Sequence, residues 1–173
     1  MDQLGNDVYI SLDQSTTACG YAVWENSCLI GHGVYKPSAL DSADKRIEEI
    51  RKWFSSLLEY CAQKGNIKLI YLEDIQLQET INGSKKYFGN SQNNVVTFKT
   101  LAHLQGVLAN TCLQNGYEYK FITPSSWKSK CGIKSQYRRD QKKETMDFID
   151  KIYNISSKED EADAICIGKS QLE

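Results

Sequence analysis

Val8 to Leu12 is a short apolar run ending in Asp13, followed by the polar stretch Gln14-Ser15-Thr16-Thr17 and a second apolar run from Gly20 to Trp24. This pattern predicts the two strands of a hairpin. A third strand is expected from Cys28 to Tyr35, where Gly31 and Gly33 punctuate an extended apolar stretch before Pro37. From Ser42 onward Ala43, Ile47, Ile50, Phe54, Leu57, Leu58 and Cys61 recur at helical spacing with Lys, Arg and Glu between them, so an amphipathic helix should run to about Gly65. Ile67 to Leu72 then reads as a buried strand that delivers Glu73 and Asp74 at its carboxyl end.

The segment Gln76 to Asn94 is polar and lacks a period; it contains Gly83, Gly89, Lys85, Lys86 and the aromatic pair Tyr87-Phe88, and reads as a long mobile loop. A helical pattern resumes from Val95 to Leu113 through Phe98, Leu101, Ala102, Gln105, Leu108 and Cys112, ending near Gly116. Tyr117 to Ile122 is the next strand, stopped by Thr123-Pro124. A basic segment leads into a helix from about Asp140 to Tyr153, with Met146, Ile149, Ile152 and Tyr153 facing inward. A last helix should begin at Ser157 or Lys158, because the early acids Glu159, Asp160 and Glu161 suit its positive end. There Asp160, Asp163 and Ile167 share one face while Ala162, Ile165 and Cys166 can pack. The order of elements predicts a mixed α/β layered fold: a five-stranded sheet, three antiparallel strands and then two parallel ones, covered by helices. One domain is expected over 1–173, with Leu172-Glu173 set aside as a vector-derived tail.

Composition narrows the class. With 40% apolar and 25% charged residues the chain has the make-up of a soluble globular protein. No apolar run approaches the ~20 residues that cross a bilayer. Met1 to Asp7 is polar and acidic rather than a basic start before an apolar stretch, so a cytoplasmic protein is expected. The six cysteines form no C-x-x-C pair and mostly read as small buried hydrophobes, and His32 and His103 are too far apart for a zinc motif.

Charge is uneven along the chain. Between Lys120 and Lys143 stand eight Lys or Arg (Lys120, Lys128, Lys130, Lys134, Arg138, Arg139, Lys142, Lys143) and one acid, Asp140. That segment carries +7 in a chain of net charge −1, leaving −8 on the rest. A basic face on an acidic body is the footprint of a phosphate-backbone binder, with a solvated basic loop as the plain alternative.

The acids supply the chemistry. Asp13 ends the first strand, Glu73 ends the strand after the helix, and Asp160 and Asp163 lie one helical turn apart. If the last helix packs across those strand ends, the carboxylates converge, and their repulsion is tolerable only with cations between them. Hard oxygen donors suit magnesium or manganese, and a pair of such ions about 4 Å apart supports phosphodiester hydrolysis. Surface acids at strand ends and an ordinary acidic helix start remain the alternative. Asp74, facing away from Glu73, and Glu159, a helix-start charge, are weaker candidates.

Ser11-Leu12-Asp13-Gln14-Ser15-Thr16-Thr17-Ala18-Cys19-Gly20-Tyr21-Ala22-Val23 resembles the first-strand motif of RuvC-type Holliday junction resolvases, members of the RNase H-like superfamily. Leu69-Ile70-Tyr71-Leu72-Glu73 resembles their second motif, and Asp160-Glu161-Ala162-Asp163-Ala164 their closing D-x-x-D-A. Thr123 to Lys128 and on through Gly132 to Lys143 is similar to the family's segment leading into a basic helix, and the divergent loop is more like phage-type members.

The resemblance implies an RNase H-like fold and a crossover junction endodeoxyribonuclease, bacterial or phage-encoded in a bacterial host. It also implies Asp13, Glu73, Asp160 and Asp163 as ligands of two Mg2+ or Mn2+ ions, Lys142 or Lys143 near the scissile phosphate, and a homodimer that cuts a four-way DNA junction by paired hydrolysis. Lys85, Lys86, Lys128, Lys130, Lys134, Arg138 and Arg139 would then grip the backbone, and Tyr87 or Phe88 would meet the branch point.

One departure matters. The family commonly has Asp-Pro-Gly-Ser where this chain has Asp13-Gln14-Ser15-Thr16-Thr17, a pattern similar to the phosphate-binding turn of glycerol-kinase-like ATPases. Another RNase H-like nuclease, or a non-catalytic branched nucleic-acid-binding module, stands as the further alternative.

Overall fold

Alternation along the first strand decides how the layers form. In β1 (Asp7–Gln14), Val8, Ile10 and Leu12 enter one apolar cluster, while Tyr9 packs on a second cluster across the sheet. Ser11 and Asp13 share the face of Tyr9 by the strand's two-residue period. The computed structural model describes residues 6–76, 80–82, 85–87 and 91–172, with side chains placed for 6–76 and 95–172.

β2 (Cys19–Glu25) and β3 (Cys28–Tyr35) continue from β1 as an antiparallel meander. β4 (Asn66–Glu73) then pairs in parallel with the other edge of β1, and β7 (Tyr119–Ile122) pairs in parallel with β4. The five-stranded order is β3-β2-β1-β4-β7: the expected mixed sheet of three antiparallel and two parallel strands, with β1 at its centre. α1 (Ala43–Ala62) and α2 (Ser91–Gln114) cover one face through Ile50, Phe54, Leu58, Leu104 and Leu108, all fully buried. Ser42 starts α1 by accepting the Lys45 N–H at 3.4 Å.

The other face carries α3 (Pro124–Lys130), α4 (Arg138–Tyr153) and α5 (Glu159–Leu172), with Trp24, Trp127, Ile149, Ile165 and Ile167 in its core. α5 lies unusually close to the strands. A Cβ on Gly20 would sit 1.8 Å from the Asp160 carbonyl oxygen, and one on Gly168 would sit 2.2 Å from Trp24 Nε1. Between these points Ser11 Oγ donates to the Ala164 carbonyl at 2.7 Å and accepts from Trp24 Nε1 at 3.1 Å. This buried polar pair fixes the helix along its length.

Several expectations change. Part of the predicted mobile loop is regular: β5 (Thr80–Asn82) and β6 (Lys85–Tyr87) form an antiparallel hairpin, and α2 starts at Ser91 rather than Val95. The segment after Thr123 contains α3, started by Pro124 and anchored by Trp127, which is fully buried. The strand predicted from Tyr117 begins at Tyr119. In α4 Met146, Ile149 and Tyr153 face inward as expected, Phe148 joins them, and Ile152 is 43% exposed instead. Ile167 belongs to the core rather than to an acidic face, and Leu172, expected in a tail, ends α5 and packs on the second cluster. Among the described residues no disulfide joins the cysteines, all buried except Cys28, and no helix is long and apolar enough to cross a membrane.

Candidate active site

The acids meet because of strand register. Leu12 aligns with Leu72 in the parallel β1–β4 pair, so Asp13 and Glu73 follow side by side at the carboxyl ends of their strands. Asp13 also faces Gly20 of β2, where the first turn of α5 rests. A larger residue at Gly20 would lift that turn away. With glycine there, Asp160 and Asp163 join Asp13 and Glu73 in the wall of one cavity of about 800 Å3.

The cost of this convergence appears in the protonation of the group. Burial, then the charges of Glu73 and Asp163, holds the Asp13 carboxyl well above the ordinary carboxylate range. Burial and the Glu73 charge push Asp163 up to about 7, with Lys128 acting against them. Asp160 is raised by burial and partly relieved by Lys142. Burial raises Glu73 too, but it has the most help: Trp127 Nε1 donates to its Oε1 at 2.9 Å, and Lys128 and Arg138 lower it further.

Four half-buried carboxylates crowded into one cavity are a donor set suited in type to a hard divalent cation. Among the described residues, no three His, Cys, Asp or Glu already stand at closed metal-holding spacing. The fit therefore rests on donor chemistry and shared location.

No protein-family model matches the chain, and no curated protein matches it in sequence. Solved structures do. RuvC of Thermus thermophilus in complex with a Holliday junction substrate superposes with TM-score 0.66 at 14% identity, covering 94% of this chain and 90% of that one. A second Thermus thermophilus RuvC structure gives TM-score 0.66 and 14% identity over 94% and 92%. The chain has the RuvC fold. A looser likeness to a ROK hexokinase from the same organism, TM-score 0.41 over 72% of this chain and 37% of that one, carries no argument.

On this RuvC-like frame the basic segment divides. Lys128, Arg138 and Lys142 line the carboxylate cavity, with Lys142 paired to Glu159 and Lys128 Nζ lying 3.1 Å from Gln141 Oε1 and 5.3 Å from the centre of the Trp127 ring. Lys143 is exposed and outside the cavity wall, so of the two lysines implied by the resemblance the structure brings in Lys142. Lys130 turns away: its Nζ donates to the Ser170 carbonyl at 2.8 Å at the far end of α5. Lys134 and Arg139 are exposed, also away from the cavity wall. Lys85, Lys86 and Tyr87 lie on β6, whose side chains are outside the described set, and Phe88 lies outside the described residues. Asp74, expected to face away from Glu73, lines the same cavity because the strand ends at Glu73, and Glu159 lines it too; they are held by Gln105 and Lys142 respectively.

Sequence reading missed the groups that hold Glu73. Trp127 reads as core, and is core, yet its single N–H serves the Glu73 carboxylate. Gln14 Nε2 donates to the Glu73 carbonyl at 2.5 Å, and Gln105 Nε2 reaches the same carbonyl at 3.5 Å and Asp74 Oδ1 at 3.2 Å. A polar residue directly after Asp13, and a Gln inside an apolar helical stripe, were the available signals. The Gln14–Thr17 stretch, similar in sequence to a kinase phosphate turn, is closed on itself: Ser15 Oγ donates to the Ala18 carbonyl at 2.8 Å and accepts the Ala18 N–H at 3.1 Å.

Proposed function

We propose that this chain is a divalent-cation-dependent endonuclease that resolves four-way DNA junctions. The observation that carries the reading is the convergence of Asp13, Glu73, Asp160 and Asp163 in one cavity flanked by Lys128, Arg138 and Lys142. The RuvC fold supports the nuclease class, and the Holliday junction held by one protein of that fold supports branched DNA as substrate.

In this reading Asp13, Glu73, Asp160 and Asp163 hold the cations. Bound Mg2+ or Mn2+ would neutralise these acids and supply charge to the attacking water and the leaving oxygen of a phosphodiester. Trp127 keeps one Glu73 oxygen occupied and so fixes that carboxylate's rotation. Lys128, Arg138 and Lys142 take the scissile phosphate, for which Lys142 exchanges its partner Glu159. Lys134, Arg139 and Lys143 extend the contact along the backbone, which makes binding strongly salt-dependent. Lys85 and Lys86 add to that grip, and Tyr87 or Phe88 stacks at the branch point, worth roughly 1–3 kcal/mol per base. Two copies of the chain act together, one cavity per cut strand, in the cytoplasm.

The test is cleavage of a synthetic four-way junction, an RNA–DNA hybrid and single strands in Mg2+ or Mn2+, for wild type and Asp13→Asn. Paired symmetric nicks in the junction, lost in the variant while junction binding persists, are expected. Preferential cutting of hybrids would move the substrate class within RNase H-like nucleases. Junction binding with no cleavage of any substrate would leave a binding module instead.

A further inference from the structure

Beside the acids, on the β3 side of α5, stands a pair that the proposed chemistry does not use. Glu161 lies between Asp160 and Asp163 in sequence, and its two carboxylate oxygens have separate tasks. Oε2 accepts the Lys158 N–H at 3.1 Å, capping the first turn of α5, where Lys158 itself has no side-chain acceptor to offer. Oε1 meets His32 Nδ1 at 2.6 Å. A carboxylate only accepts, so the Nδ1 atom carries the proton in this bond.

His32 reaches α5 because of its register. It pairs with Ala22 on β2, and Ala22 belongs to the cluster under α5, so His32 sits on the helix-bearing face of the edge strand. The pair is mostly sheltered, with side-chain exposure of 32% for His32 and 13% for Glu161. Further along, α5 is fixed by the Ser11 bond to the Ala164 carbonyl; at its start, the close approach of Asp160 to Gly20 sets the height of the turn but offers no bond against rotation about the helix axis. The His32–Glu161 contact supplies that restraint from β3, alongside the Lys142–Glu159 pair that ties the same turn to α4.

We propose that His32 and Glu161 are positioning residues that hold the first turn of α5 so that Asp160 and Asp163 face Asp13 and Glu73. The inference rests on the cation-dependent nuclease reading above. It makes β3, a strand with no acid in the cavity, part of the site's precision.

The test is calorimetric titration of the whole chain with Mn2+ in the absence of DNA, alongside junction cleavage across Mn2+ concentrations. His32→Leu should weaken Mn2+ binding about 10-fold, the scale of groups that orient metal ligands. It should raise the Mn2+ needed for half-maximal cleavage by a similar factor while leaving KM for the junction near wild type. His32→Asn, which keeps a donor near the Nδ1 position, should recover most of the affinity. Glu161→Gln, which keeps the cap, should fall between them. Wild-type Mn2+ affinity and Mn2+ dependence in a folded His32→Leu, or His32→Asn no better than His32→Leu, would overturn the proposal. Absence of Mn2+ binding by wild type would sink the nuclease reading itself, and the positioning role with it.

Discussion

The two faces of the sheet are built from the same strands and differ in what they ask of them. Toward α1 and α2, β1 and β4 present Val8, Ile10, Leu12, Ile70 and Leu72, all fully buried. Toward α5 the same two strands present Ser11, Asp13, Tyr71 and Glu73, and polar groups follow the apolar ones to the strand ends. The first face is an apolar core whose contacts have no cost beyond ordering. The second half-buries carboxylates, among which Asp13 and Asp163 have their proton affinity raised by burial and by their neighbours' charge, and it keeps them there through Trp127, Gln14, Gln105 and the Ser11–Ala164 bond. The first face stabilises the molecule; the second uses part of that stability to hold a destabilising charge cluster in place.

Substitutions can break this comparison. The largest effect is expected from Asp163→Asn, which should lower junction cleavage by more than about 100-fold, beyond the range typical of groups that merely orient metal ligands. The same change should raise the melting temperature in chelator by a few degrees, since it removes a charge from a crowded buried site. A fall in melting temperature with cleavage intact would reverse the assignment of roles to the two faces. Phe54→Ala, on the other face, should cost about 3–5 kcal/mol of stability. At about 2–4 °C per kcal/mol for a chain of this size, the loss reads in a melting curve, while cleavage by the remaining folded protein is retained.

Trp127→Phe sharpens the contrast, because it keeps an aromatic ring in the core but removes the N–H that Glu73 accepts. About 10-fold more Mn2+ should be needed for half-maximal cleavage, with a stability loss of about 1.5–3 kcal/mol for one hydrogen bond to a charged group. The smallest effect is in pH. Asp163 titrates at about 7 in the folded chain, against about 4 for an unstructured aspartate. The folded state thus holds a proton that the unfolded chain has released, so this contribution to stability is full below pH about 4 and is lost as pH rises through about 7. In chelator, melting temperature should decline between those values, and Asp163→Asn should flatten the curve.

Much of this was legible in the sequence, for physical reasons. Period-two alternation ending in Asp13 and Glu73 locates both acids, since strand geometry propagates over short distances without help from elsewhere. The spacing of Asp160 and Asp163 is equally local. What was not legible depended on packing. Lys142 and Lys143 are neighbours in sequence, and only the phase of α4 against α3 and α5 separates the cavity residue from the exposed one. The inward place of Phe148 rather than Ile152 has the same origin. Lys130 belongs to the basic run by sequence and to the opposite end of α5 by contact. α3 was within reach, because Thr123-Pro124 is a helix start as well as a strand stop. Regular structure inside Gln76–Asn94 was not, as short strands rich in polar residues carry no period.

If Asp13, Glu73, Asp160 and Asp163 form one cation site, cation binding and stability must be coupled through them. The most direct test of that coupling is the melting temperature of the wild-type chain, Asp13→Asn and Asp163→Asn at pH about 8, with chelator and with rising Mn2+. Wild type should melt lower than either variant in chelator and be raised by Mn2+ in a saturable way, and the variants should largely lose that response. A wild type indifferent to Mn2+, or variants that respond as the wild type does, would contradict it.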